Sequence, residues 1–161
     1  MAVTHAVLFV CMGNICRSPT AEAVLRAQAA RAGVVQRLQI DSAGTHDYHS
    51  GDAPDARSIR HAAARGYDLS QLRARQVRMA DFEAFDFLLA MDEENLSRLQ
   101  RLRPAQARAQ LRLFMDFAPQ VGSHIVPDPY YGEAADFERV IDYCEAAALG
   151  LLRELGLSRA S

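Results

Sequence analysis

Ala6-Val-Leu-Phe-Val10 runs straight into Cys11-Met-Gly-Asn-Ile-Cys-Arg17 and then Ser18-Pro19, and this junction decides the fold. The first segment is a short apolar run with β-branched and aromatic members, the pattern of a strand buried on both faces. Ser18 is expected as an N-cap with Pro19 at the first helical position and Glu22 in the first turn, opening an Ala-rich helix that runs to about Ala32 and stops at Gly33. Between strand and helix lies a loop whose amide groups can converge on an anion at the positive end of the helix dipole.

Outward from that junction the elements alternate. Leu38 to Ser42 reads as a second strand, the stretch Ala43 to Pro54 as a turn-rich loop, and Asp55 to Arg65 as a helix ended by Gly66. Phe85 to Ala90 reads as a third strand, Glu93 to Leu102 as a helix ended by Pro104, and Leu111 to Phe114 as a fourth strand. Phe137, Val140, Ile141, Cys144, Ala148, Leu151, Leu152 and Leu155 recur at helical spacing, which predicts a long amphipathic helix. The expected architecture is a single α/β domain over 1–161. It has a four-stranded parallel sheet with helices on both faces and the phosphate loop after the first strand. Ligands of such sheets sit at the carboxyl ends of strands, where Cys11 stands.

The loop carries a chemistry. A helix N-terminus and a neighbouring guanidinium both favour thiolate over thiol, so Cys11 is expected to be nucleophilic at neutral pH. The five residues between Cys11 and Arg17 let the chain wrap one tetrahedral anion while Arg17 returns to grip two of its oxygens. Gly13 and Asn14 are the residue types that tolerate a left-handed backbone. The bare Cys-x5-Arg spacing is weak evidence in a chain with 18 basic residues, all of them Arg. The buried strand before it and the helix start after it are what select the loop reading.

The remaining bulk properties exclude partners. A net charge of −2 with arginines spread along the chain gives no general attraction for nucleic acid or an anionic membrane. The first ten residues lack the basic segment and cleavage site of a signal peptide, and no apolar run approaches a membrane span. Three cysteines cannot all pair within the chain, which points to a reducing compartment. A cytoplasmic protein, monomeric or weakly self-associating, is expected.

With these residues in hand, Val10-Cys-Met-Gly-Asn-Ile-Cys-Arg-Ser-Pro19 resembles the signature of the low-molecular-weight protein tyrosine phosphatases, and Asp128-Pro-Tyr-Tyr-Gly132 resembles their general-acid loop. Asp41-Ser-Ala-Gly44, Ala74-Arg-Gln76, Asp81-Phe82 and Met91-Asp92 are also similar, so the resemblance covers nearly the whole chain. It implies a phosphatase that acts on phosphotyrosine proteins and small aryl phosphates through a phosphocysteine. Cys11 would be nucleophile, Arg17 the phosphate clamp and Asp128 the proton donor. Met12, Gly13, Asn14, Ile15, Cys16 and Ser18 would form the phosphate-binding loop. Asn14, Ser18, Ser42 and Gln71 would support it, Gln71 standing where the family often has His. Tyr48 and Tyr131, with Tyr130 beside them, would rim the cleft. No metal or organic cofactor is implied. Ile15 stands where the phosphoarginine-specific branch has Thr, which favours phosphotyrosine.

Other residues have plainer readings. Cys144 falls on an apolar helix stripe and is expected to pack, whereas Cys16 could form a reversible disulfide with Cys11 after oxidation. His46 and His49 lack a third ligand for a metal. Arg73, Arg75 and Arg78 read as a solvated face. The rival function, arsenate reduction on the same scaffold, needs a relay of further cysteines, and the chain has none between Cys16 and Cys144.

Overall fold

The computed structural model describes residues 2–158. Strand β1 (His5–Cys11) pairs in parallel with β2 (Leu38–Gly44) on one side and β3 (Phe87–Ala90) on the other; β4 (Gln110–Leu113) completes the order β2-β1-β3-β4. The chain order reverses at β1, so the crevice beyond its carboxyl end is where such a sheet binds its ligand. Cys11 is the last residue of that strand.

The period-two geometry of β1 divides its side chains between two cores. Val7, Phe9 and Cys11 face helices α1 (Arg17–Arg31) and α5 (Ala134–Glu154), joined by α2 (Ala56–Ala64). Ala6, Leu8 and Val10 face α3 (Asp81–Ala84) and α4 (Glu93–Leu102). Phe9 is fully buried and meets Phe114 edge-on at 4.8 Å between ring centroids. Truncating it to Ala would cost ~3–5 kcal/mol, since the close-packed surroundings could not refill the space.

The expected four parallel strands are found, with ends shifted by one or two residues; the first runs over the seven residues His5–Cys11 where the sequence pattern predicts Ala6 to Val10. The third strand starts at Phe87 and not Phe85, because Phe85 and Asp86 leave the short helix α3, an element the sequence pattern did not suggest. Three 3₁₀ turns, at Val35–Arg37, Phe114–Phe117 and Pro119–Val121, were equally unexpected. The start of α1 is a correction. The residue at the cap is Cys16, Ser18 lies inside the helix, and no side chain caps it. The loop stays wrapped until residue 16, and the Ser18 hydroxyl is spent elsewhere. Glu22 is likewise buried against the sheet and absent from the first turn. Asp55, by contrast, caps α2 by accepting from Arg57 N–H.

Candidate active site

The loop from Cys11 to Arg17 is held by a hydrogen-bond chain whose direction can be read link by link. Arg75 donates its backbone N–H to Asn14 Oδ1 at 3.0 Å, which fixes the orientation of the Asn14 amide. The Asn14 Nδ2 group then donates to Ser18 Oγ at 2.8 Å and to Ser42 Oγ at 2.9 Å. Ser42 passes its proton on to Glu22 Oε1 at 2.7 Å. Ser18 accepts from Asn14, keeps its own O–H free to donate, and lies 3.0 Å from Cys11 Sγ. Asn14 N–H also donates to that sulfur at 3.3 Å. The sulfur thus sits buried between the Ser18 hydroxyl and the Asn14 N–H.

The backbone follows the same purpose. Asn14 has φ +58°, the only left-handed residue other than glycine among those described. Gly13 is not left-handed; a side chain there would press on His49 at 3.1 Å. At Gly44 a Cβ would lie 2.7 Å from the Met12 carbonyl, so the end of β2 must be glycine for the loop to pass. The N–H groups of Gly13, Ile15 and Cys16 have no protein acceptor among the described residues, which leaves a ring of donors at the start of α1.

Arg17 is buried and anchored twice through Nη1, to Asp92 Oδ2 at 2.7 Å and to the Val126 carbonyl at 3.2 Å. Its Nη2 lies 3.9 Å from Asp128 Oδ2. Burial works against the charge, but the Cys11 sulfur, Asp92 and Asp128 more than offset it, so the guanidinium is held above its ordinary range. Asp92 itself caps α4 by accepting from Asn95 N–H at 2.8 Å, so the clamp is tied to the helix on the far face of the sheet.

Cys11, Arg17 and Asp128 line one cleft of about 310 Å³, together with Met12, Gly13, Ile15, Cys16, Tyr48, His49, Tyr130 and Tyr131. Asp128 enters it from the Val126–Gly132 loop, one oxygen accepting from Tyr130 N–H at 3.1 Å. Tyr48 and Tyr131 stand at the rim and are mostly exposed. Tyr48 stacks on His46 with centroids 5.0 Å apart, and His49 pairs with Asp52. Among the described residues no group of three or more His, Cys, Asp or Glu side chains is placed to hold a metal.

Residues 6–160 match the family model described as low molecular weight phosphotyrosine protein phosphatase. The chain belongs to the low molecular weight phosphotyrosine protein phosphatase family. It is 43% identical over 153 residues to the low molecular weight protein-tyrosine-phosphatase of Streptomyces coelicolor, covering 93% of each chain. To the human low molecular weight phosphotyrosine protein phosphatase it is 41% identical over 143 residues, 88% of this chain and 89% of the human one. A crystal structure of the protein tyrosine phosphatase from Entamoeba histolytica with Hepes in the active site superposes with a TM-score of 0.91. The two share 38% identity over 95% of this chain and 97% of that one.

Within this family fold, two expectations need correction. Gln71 lies outside the loop's hydrogen-bond chain: it is exposed, and its amide reaches only Ser70 Oγ at 3.5 Å. Asp68 turns that segment outward by accepting from Ser70 N–H and Oγ–H, while Asn14 Oδ1 is satisfied by the Arg75 backbone. Arg75 is not a solvated side chain either. It pairs with Asp41 at 3.1 Å and with the buried Asp81 at 2.9 Å, bracing the turn that presents its N–H to Asn14. Glu22 and Arg75 support the loop although the sequence reading gave them no part in the site, and Asp92, noted there within a family-like segment, anchors Arg17.

The two remaining cysteines differ from Cys11. Burial pushes the Cys16 thiol up to about 12, with a Ser58 hydrogen bond opposing it, and Asp55, Cys11 and Asp128 add to the rise. Cys144 packs in α5, and burial raises it further still. Both are thiols at any physiological pH.

Proposed function

We propose that the chain hydrolyses phosphotyrosine in protein substrates, and small aryl phosphates, through a phosphocysteine intermediate. One observation carries this reading. A buried sulfur that accepts from the Asn14 N–H and meets the Ser18 hydroxyl, a buried guanidinium and a carboxylate 3.9 Å from that guanidinium come together in a single cleft with aromatic walls.

The phosphoryl group enters over the ring of loop N–H donors, and Arg17 grips its oxygens with the part of the fork not taken by Asp92 and Val126. The Cys11 thiolate attacks phosphorus while the P–O bond to the phenol breaks, and Asp128 gives its proton to the departing oxygen. The Asp128 carboxylate then takes a proton from water as that water attacks phosphorus. The S–P bond breaks, and Cys11 returns as the thiolate that Ser18 and Asn14 N–H stabilise. Tyr48 and Tyr131 flank the substrate ring, and the apolar Ile15 side chain, half-buried in the cleft, suits an aryl ring. Gly13, Met12 and Cys16 contribute backbone to the cradle. Cys16, a thiol in the same loop as the nucleophile, would form a disulfide with it after oxidation.

Arsenate reduction is disfavoured because the only cysteine beyond the loop, Cys144, is sealed in the core. A single domain spanning the chain and a cytoplasmic monomer belong to the same reading, supported by one continuous sheet and three free thiols. Among the described residues no helix is long and apolar enough to cross a membrane. The test is phosphate release from a phosphotyrosine peptide and from p-nitrophenyl phosphate. The wild type is expected to turn over both, and the Cys11→Ser protein to bind vanadate but turn over neither; turnover by Cys11→Ser would refute the phosphocysteine.

A further inference from the structure

A second cleft of about 310 Å³ lies against the first and shares Met12, Arg17 and Asp128 with it. Its outer wall is one face of α4, formed by Asn95, Arg98 and Arg101. Its arginines differ from most others of the molecule. Arg17, Arg26, Arg57, Arg65, Arg75, Arg108, Arg112 and Arg139 all pair with carboxylates. Arg98 and Arg101, one helical turn apart, make no side-chain ion pair or hydrogen bond among the described residues.

Glu94 sits four positions before Arg98 and lines the same cleft, yet no ion pair joins them. Its charge instead lies in the first turn of α4, where the helix dipole favours it. Asp92 is committed to Arg17 and to the helix cap. The wall also holds two buried polar atoms without partners, the acceptor Asn95 Oδ1 and the donor Arg98 Nε. Asn95 is almost wholly buried. Buried polar atoms without partners are rare and costly, so a pair of opposite kind on adjacent helical turns points to a ligand that supplies both halves.

We infer that this cleft is a substrate subsite for an acidic residue flanking the phosphotyrosine, an inference that rests on the phosphatase reading above. An aspartate or glutamate in a peptide carries a carboxylate for Arg98 and Arg101 and a backbone N–H for an amide oxygen such as Asn95 Oδ1. A neutral flanking residue would leave both guanidiniums unpaired. Arg17 and Asp128 form the boundary between the two clefts, so a peptide with its phosphate on the loop has the neighbouring residue within reach of α4.

The experiment compares kcat/KM for phosphotyrosine peptides in which Glu replaces Ala in turn at each position flanking the phosphotyrosine. Wild type should prefer Glu at one or more of those positions by about three- to tenfold at low salt, the worth of a charge-assisted contact at a partly exposed site, and less at high salt. In Arg98→Gln/Arg101→Gln the ratio should fall to near one while p-nitrophenyl phosphate turnover is kept. Arg101→Glu, at an exposed position that leaves folding intact, should turn the preference toward Arg-containing peptides. Indifference of the wild type at every flanking position, or a Glu preference that survives in either variant, would overturn the subsite. Failure of the wild type to hydrolyse p-nitrophenyl phosphate at all would bring down the phosphatase reading and the subsite with it.

Discussion

The two loops that build the cleft differ in how they are held. Cys11, Asn14, Arg17 and Ser18 are all buried, and each is hydrogen-bonded to a named partner, Arg17 through Nη1 alone. The Val126–Gly132 loop is anchored by buried Val126 and Pro129 but is otherwise open: the Asp128 side chain is 44% exposed, Tyr131 is 95% exposed, and the Asp128 carboxyl accepts one backbone hydrogen bond. A cradle for a doubly charged group works by dipoles that are already in place, so rigidity serves it. A group that must give a proton to one molecule and take one from another needs access to water and room for both. The contrast suits the proposed division of labour, stabilisation by the buried loop and proton transfer by the open one.

Four substitutions can break or sharpen that contrast. Cys11→Ser should lower turnover of every aryl phosphate by about 10⁴-fold or more, because the bond-forming atom is gone. Measured on a series of leaving groups, the loss should be uniform; a loss confined to poor leaving groups would mean that the buried loop is not the seat of attack. Asp128→Asn should slow phosphotyrosine peptide hydrolysis by about 10²- to 10⁴-fold. Its deficit should shrink as the leaving group becomes better, since a phenolate that departs readily needs no proton. An equal deficit for all leaving groups would assign Asp128 to structure.

Asn14→Ala removes three hydrogen bonds to Ser18, Ser42 and the Arg75 backbone and puts Ala in a left-handed conformation. Urea titration should show a stability loss of about 2–4 kcal/mol. Turnover should fall about tenfold or more whatever the leaving group, and wild-type stability in this variant would show that the loop's order comes from elsewhere.

The smallest effect is a pH dependence. Burial holds the Glu22 carboxyl above its usual 4.5, with Ser42 and Arg26 opposing. A raised folded pKa means that the folded state binds this proton more tightly than the unfolded one. The stabilisation is therefore full below 4.5 and is lost as pH rises through the folded value. Glu22→Gln keeps an acceptor for the Ser42 hydroxyl and has no proton to lose. On moving from about pH 4 to about pH 7, the Tm of the wild type should drop relative to that of Glu22→Gln. A difference independent of pH would place the carboxyl's proton equilibrium outside the loop's support.

What the sequence made legible was what is local in the chain. A strand ending in Cys11, a helix beginning near Pro19 and a proline-bounded Asp128 each show in a few consecutive residues. The supports of the site are not local. Glu22 reaches Ser42, Arg75 reaches Asn14, and Asp92 reaches Arg17, each across an element boundary that only the sheet brings together. A glutamate on an Ala-rich helix and an arginine in a polar turn read as surface residues until their partners are known. The Ser18 cap failed for a related reason, since its hydroxyl is engaged by Cys11 and Asn14 and the loop winds on to Cys16. Gln71 failed because Asp68 and Ser70 satisfy each other locally and turn it to solvent.

Arg17 is moored to Val126, near the other end of the chain from the loop it serves. A ribosome thus delivers Cys11 and its loop early, and the second mooring of Arg17 only when synthesis is almost complete. The proposed chemistry needs both, so the appearance of activity during translation or refolding would date the moment when the C-terminal segment docks on the first strand and its loop.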